Sequence, residues 1–299
     1  MAEELDELNR LFTSKNVEDV IKFYDHFDTA EQLIEWMKNR PSAPMKIYEV
    51  EGKKDIVVVI PTANHEGELA KNCANNIFKG QQIVFVESNG PFFNYTRSCN
   101  YGLKYSLKYN PKWIIMSNDD IQEIGDLKSF VRRLSLQTAE VVSPKPNYKG
   151  HFLPSFVVKQ TIFLKLLYIL SGRIWRLQFF SKFNVIYRTP SLKRGFLKVL
   201  KYKLLYKKIA KIPTNTAFTI FSGDFVARNS KVLDETCINA GEELCLWLDN
   251  QNAKFGYMDL QIVDRIGATF GQSTTRSFRD FTGLIYFNYK FKKLFHSQL

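Results

Sequence analysis

Between residues 141 and 223 the chain has no aspartate or glutamate, while the same stretch holds 16 lysines and arginines. The whole chain of 299 residues has 42 basic and 30 acidic side chains, a net charge of +12. Outside the acid-free stretch there are 26 basic and 30 acidic residues, a net of −4. The protein is therefore a mildly acidic body carrying one basic segment, not a uniformly basic one. Long hydrophobic runs are also missing. The longest apolar stretch, residues 161–170, is broken by Lys165 and falls short of the ~20 residues that span a bilayer. Cys73, Cys99, Cys237 and Cys245 form no CxxC pair, which excludes the usual zinc spacings. With no secretory leader at the start, four reduced thiols in a cytosolic protein are expected.

What is present is an alternation of apolar runs and polar clusters. Residues 3–38 show helical spacing, with Thr29 or Asp28 as a cap, and Pro41 and Pro44 mark a linker. At Asp55 the texture changes. Ile56-Val57-Val58-Val59-Ile60 is a β-branched run stopped by Pro61, as expected of a strand buried on both faces. Ile83-Val84-Phe85-Val86 and Trp113-Ile114-Ile115-Met116 repeat the pattern, with helical stretches between. Three such rounds predict an α/β sheet with right-handed crossovers. The runs end in Thr62-Ala63-Asn64, Glu87-Ser88-Asn89 and Asn118-Asp119-Asp120. Ligands of such sheets bind at the carboxyl ends of the strands, so these clusters are the first functional signal. Further on, residues 217–221 and 225–227 read as strands around Ser222-Gly223-Asp224, residues 241–250 as a helix, and residues 255–258 and 261–263 as extended.

Two adjacent carboxylates at a strand end repel each other unless a cation is near, and hard oxygen donors suit Mg²⁺ or Mn²⁺. The alternative reading of Asp119-Asp120 is a solvated turn. Glu242-Glu243 at a helix start are either acid–base chemistry or a cluster favoured by the helix dipole.

In order and spacing these pieces resemble glycosyltransferase family 2. The matching residues are 57–64, Val86-Glu87-Ser88-Asn89-Gly90, Arg97-Ser98-Cys99-Asn100-Tyr101-Gly102, residues 114–121, residues 221–228, and Gly241-Glu242-Glu243-Leu244-Cys245-Leu246. The resemblance covers residues 55–145 and 215–275. It implies a GT-A fold, a mixed and mostly parallel sheet flanked by helices, and transfer of a sugar from a nucleoside-diphosphate donor with inversion. Pro61, Thr62, Asn64, Glu87 and Asn89 would border the base and ribose, and Arg97 and Asn100 the base or diphosphate. Asp119 would lie beside the ribose, and Asp120 would hold the metal, Mn²⁺ or Mg²⁺. Asn118 stands where the family often has Asp. Glu243 would be the general base, with Glu242 its neighbour, and Ser222, Gly223 and Asp224 would face the acceptor. Arg265 replaces a frequent His and would neutralise diphosphate charge; Ser273, Thr274 and Arg276 would follow on a loop.

The implied organisation is an acidic helical extension (1–52), a donor half (53–145), a basic aromatic insertion (146–213) and a catalytic-base half (214–299). In the insertion, residues 162–170 and 196–209 read as basic amphipathic helices, which lie in the headgroup plane of anionic membranes. The segment is expected to dock the protein peripherally at a cytoplasmic membrane face, near a glycan or lipid-linked acceptor. Nucleic acid is the rival partner for a basic aromatic stretch, but no nucleic-acid motif accompanies it. Two other readings are a nucleotidyltransferase and a non-catalytic membrane-associated protein with a decayed site. The first would show a Gly-rich loop after the first strand, and here glycine is absent until Gly67.

Overall fold

The computed structural model describes residues 2–145, 155–160, 166, 170, 183–187, 206–212, 217–238, 240–260, 262–264 and 274–296. It is an α/β structure built on a seven-stranded mixed sheet, consistent with a Rossmann-like arrangement. The strands are β1 (Lys46–Val50), β2 (Lys53–Thr62), β3 (Gln81–Glu87), β4 (Trp113–Ser117), β6 (Val141–Pro144), β10 (Phe218–Ser222) and β11 (Phe255–Met258). Their order is β1-β3-β2-β4-β10-β6-β11. β2, β3 and β4 are parallel, β10 runs against both β4 and β6, and β11 is parallel to β6. Beside this sheet, β5 (Ile121–Glu123) pairs with β12 (Val263–Asp264).

The β-branched run of β2 exists because both of its faces are covered. Ile56, Val58 and Ile60 pack with Cys73, Ile77, Phe130 and Leu134. Cys73 and Ile77 come from the wider π turn that follows α4 (Glu68–Asn72), and Phe130 and Leu134 from α6 (Leu127–Leu134). Val57 and Val59 point the other way, toward Cys99 and Leu103 of α5 (Tyr95–Ser106) and Phe225 of α7 (Gly223–Arg228). Alternation with period two thus feeds two layers from one strand.

A third core joins the two ends of the chain. Helices α1 (Ala2–Thr13), α2 (Val17–Asp25) and α3 (Ala30–Asn39) pack against α8 (Glu242–Asp249) and α9 (Thr274–His296). Thr29 caps α3 with a complete capping box. Tyr24 donates to the Phe278 carbonyl at 2.6 Å, and Arg279 donates to Phe12 O at 2.8 Å. The first helices are therefore a brace on α8 and α9.

Several expectations need correction. β1 already belongs to the sheet, antiparallel to β3, so the sheet begins inside the presumed extension 1–52. Residues 225–227 lie in helix α7, because the Ser222 hydroxyl accepts from Phe225 N and caps it. Residues 274–296 form one long helix where a loop was expected after Arg265. Residues 206–212 form strand β9, not the end of a helix over 196–209. Together with β7 (Ser155–Gln160) and β8 (Phe183–Tyr187), β9 makes a three-stranded antiparallel sheet in the insertion. Leu166 and Leu170 are helical, as expected for 162–170, and both are exposed. The remainder of that expected helix lies outside the described residues. Among the described residues no helix is long and apolar enough to cross a membrane.

Candidate functional site

The parallel run of β2, β3 and β4 brings Thr62, Glu87 and Asn118 to one edge of the sheet. Pro61, buried, pairs with Val86, and Thr62 opposite Glu87 closes the β2 ladder. Thr62 Oγ1 donates to Asp119 Oδ2 at 2.6 Å, which ties the end of β2 to the residues after β4. The exposed Asn64 folds its turn by accepting from Glu66 N at 2.9 Å, and Asn89 donates to Ala63 O at 3.2 Å. Glu87 Oε2 accepts from the His65 backbone N–H at 3.0 Å and meets His65 Nδ1 at 2.6 Å. These contacts from His65 hold the Glu87 carboxyl below the usual range. The His65 ring lies on Tyr48 of β1, centroids 3.4 Å apart and planes 8° from parallel.

Asn118 and Asp119 are half-buried and Asp120 is buried. Asn118 Oδ1 accepts from the Tyr95 hydroxyl at 2.9 Å, and its N–H reaches Ala217 O at 3.0 Å. Burial raises the Asp119 carboxyl, opposed by the Thr62 hydrogen bond. Beneath them Cys73 Sγ donates to Asp119 O at 3.3 Å. Its thiol is pushed up to about 12, first by burial and then by the charges of Asp119 and Asp120. Two neighbouring carboxylates with an amide oxygen beside them are hard oxygen donors. Among the described residues no group of three or more His, Cys, Asp or Glu could hold a metal. Asp119 Oδ2 and Asn118 Oδ1 are already engaged by Thr62 and Tyr95.

Glu242 and Glu243 open α8 after Gly241, whose φ of +92° lies in the region that favours glycine. Both carboxylates are buried. Glu242 is pushed up to about 8, by burial first and then by the charge of Glu243, with Asp280 adding and Arg276 opposing. Tyr95 reaches the strand ends through its hydrogen bond to Asn118. Its hydroxyl is held far above its ordinary value by burial and Cys99, with the charges of Glu242 and Asp120 acting in the same direction.

Other expected residues are elsewhere. Arg97 Nη1 donates to Arg40 O at 2.9 Å and to Ser42, so the guanidinium holds the linker. Buried Asn100 donates to Leu233 O and Glu235 Oε1 and accepts from Val232 N and Leu233 N. All four of its amide hydrogen bonds are spent on the 232–235 loop. Ser222 pairs with Trp113, because β10 runs against β4. Ser222, Gly223 and the exposed Asp224 therefore lie at the opposite edge from Asp120. At Gly223 a Cβ would come 2.1 Å from Pro111 O, so glycine there answers a packing need. Arg265 and Ser273 lie outside the described residues. Sequence reasoning did not single out Tyr95 and His65; each follows a polar turn signal that marks position without naming a role.

No protein-family model and no curated protein matches this chain. Among solved structures it is similar to the crystal structure of A197 from STIV. The two share 11% identity and a TM-score of 0.37, over 71% of this chain and 86% of the other.

Proposed function

We propose that the chain is an inverting glycosyltransferase of the GT-A kind. In this reading it moves a hexosyl or deoxyhexosyl group from a nucleoside-diphosphate sugar to an acceptor hydroxyl. The observation that carries the reading is the linked set of polar strand ends, where Thr62 Oγ1 donates to Asp119 Oδ2 at 2.6 Å and the Tyr95 hydroxyl donates to Asn118 Oδ1 at 2.9 Å beside the buried Asp120. Separate roles for neighbouring acids follow from their environments. Burial and the neighbouring Glu243 both push the Glu242 carboxyl up, which favours its protonated form. Glu243 is then the base. It takes the proton of the acceptor hydroxyl as that oxygen attacks the anomeric carbon from the face opposite the diphosphate, a single displacement that inverts the centre.

Asp120, with the donor's diphosphate, would hold the Mn²⁺ or Mg²⁺ ion, and Asp119 would lie beside the ribose. When bound, such an ion neutralises charge on the leaving diphosphate. Thr62 keeps Asp119 in place. The acid-free segment suits docking on an anionic membrane, where a lipid-linked acceptor is available. Leu166 and Leu170, helical, exposed and four residues apart, fit one face of a helix lying in the headgroup plane.

The test is binding of nucleoside diphosphates with and without Mn²⁺, followed by Glu243→Gln in a transfer assay against a panel of nucleotide sugars. Metal-enhanced nucleotide binding that survives Glu243→Gln, with transfer lost, is the expected result. A fully active Glu243→Gln enzyme moves the base elsewhere, and no nucleotide binding at all ends the reading.

A further inference from the structure

We propose that Cys237 and Cys245 are a reversible disulfide pair, closed by a small-molecule disulfide acting as the oxidant. The bridge encloses the start of α8 and with it Glu242 and Glu243. The pair needs no donor sugar and would close whatever reaction those acids serve.

Cys237 Sγ donates to Cys245 Sγ at 3.5 Å, and both residues are buried in the core that joins the two ends of the chain. Cys73 and Cys99 belong to the cores on the two faces of the sheet, apart from this pair. A disulfide bond is about 2.05 Å long, so the two sulfurs have about 1.5 Å to close. One side is fixed and the other can give. Cys245 stands on α8, where its N–H donates to Gly241 O at 2.9 Å. Cys237 follows a turn, its N–H donating to Asp234 O at 3.0 Å, and lies outside any helix or strand. Thr96 of α5 donates to Cys237 O at 3.1 Å, and Gly283 of α9 lies against Ala240, between the two cysteines. The fold thus holds this segment from both sides with its sulfurs in contact. A bond between residues eight apart then ties the acid pair into a small closed loop.

The thiolate is the nucleophile, and the contact with Cys245, together with burial, pushes the Cys237 thiol up. The closed turn therefore reacts slowly, and exchange proceeds as the turn opens. Cys237 attacks the reagent's disulfide and one reagent thiol leaves. Cys245 then attacks Cys237 in the mixed disulfide and displaces the second reagent thiol. The pair loses two electrons and two protons, and the reagent is reduced to two thiols. Excess thiol reverses both steps.

The full chain is equilibrated in glutathione mixtures of rising oxidised share, quenched in acid, unfolded, alkylated and mapped by mass spectrometry. Cys237 and Cys245 should lose alkylation together, in a linked peptide lighter by two hydrogens, while Cys73 and Cys99 stay alkylated. Excess reduced glutathione should restore both thiols. Hydrogen exchange at the amides of residues 241–246 should slow by about tenfold in the bridged form, because the tether removes open conformations. Cys73→Ala should still close the bridge, and Cys237→Ala or Cys245→Ala should not. If an alanine variant does not fold, the wild-type peptide map decides alone. Four alkylated thiols in the most oxidising mixture, also after refolding in it, overturn the proposal. So does a bridge to Cys73 or Cys99, a glutathione adduct on Cys237 that never resolves, or exchange at 241–246 that is the same in both forms.

Discussion

Gly283, in the middle of α9, lies against the main chain of Ala240: a Cβ at Gly283 would come 1.9 Å from the Ala240 carbonyl oxygen. Ala240 and Gly241 immediately precede the two glutamates of α8, so helix α9 sets the height at which that acid pair enters the site. In an exposed helix, Gly→Ala gains about 1 kcal/mol. At Gly283 the neighbour is backbone and cannot rotate away, so overpacking prevails. Gly283→Ala should lower stability by about 1–3 kcal/mol. It should also reduce any transfer activity more than nucleotide binding, because Glu243 moves and the strand ends do not. Denaturant unfolding and titration of the same variant check both halves.

Glu242 makes stability depend on pH. Its folded value of about 8 lies above the ordinary 4.5 of a glutamate, so the folded state holds a proton that the unfolded chain has released. Stability is then greatest below pH 4.5 as far as this group is concerned, and falls as pH rises toward 8. Glu242→Gln, which keeps the shape without the charge, should be near wild type at pH 5. By pH 9 it should be more stable by a few kcal/mol, at about 1.4 kcal/mol per unit of displacement. Melting curves from pH 5 to 9 that run parallel for the two proteins would refute this.

The central strands were legible because burial on both faces leaves a continuous β-branched run, as in residues 56–60. β1 was not, because an edge strand reading Lys46-Ile47-Tyr48-Glu49-Val50 carries charges like a linker. Residues 225–227 show how a short apolar run fits strand and helix alike, and only the Ser222 cap decides between them. At the site, the polar clusters marked the right sheet edge for Thr62, Glu87 and Asp120. What they could not mark were relations across the chain: Tyr95 with Asn118, Arg276 with Glu242, or a Ser222 carried to the far edge by a reversed strand. Those depend on tertiary pairing, which local pattern does not encode.

Asn100 separates structure from recognition. With four hydrogen bonds to residues 232–235, its loss leaves Val232 N–H, Leu233 N–H and Leu233 C=O short of partners in a buried region. Asn100→Leu should cost about 3 kcal/mol or more, at about 1–3 kcal/mol for each of the groups left unsatisfied. Nucleotide affinity of the folded fraction should change less than twofold. A selective loss of affinity at unchanged stability would return Asn100 to the donor site.

Lys290 ties α9 to α8 and to the loop before it. Its ammonium contacts Asp234 and Asp249, and the Tyr286 hydroxyl donates to the same Asp234 oxygen at 2.6 Å. Burial raises the Asp234 carboxyl, but Lys290 and Tyr286 outweigh it and the net direction is down. Stability from Asp234 is therefore present above the ordinary aspartate value and lost as pH falls through the lower folded value. Lys290→Met strands a mostly buried carboxylate without its cation. The expected cost is about 3–5 kcal/mol at pH 7. Protonation then becomes the relief: the deficit relative to wild type should shrink toward pH 4, and Lys290→Met combined with Asp234→Asn should recover part of it at pH 7. A deficit independent of pH, unmoved by the second substitution, would mean that Lys290 contributes its stem packing rather than its charge.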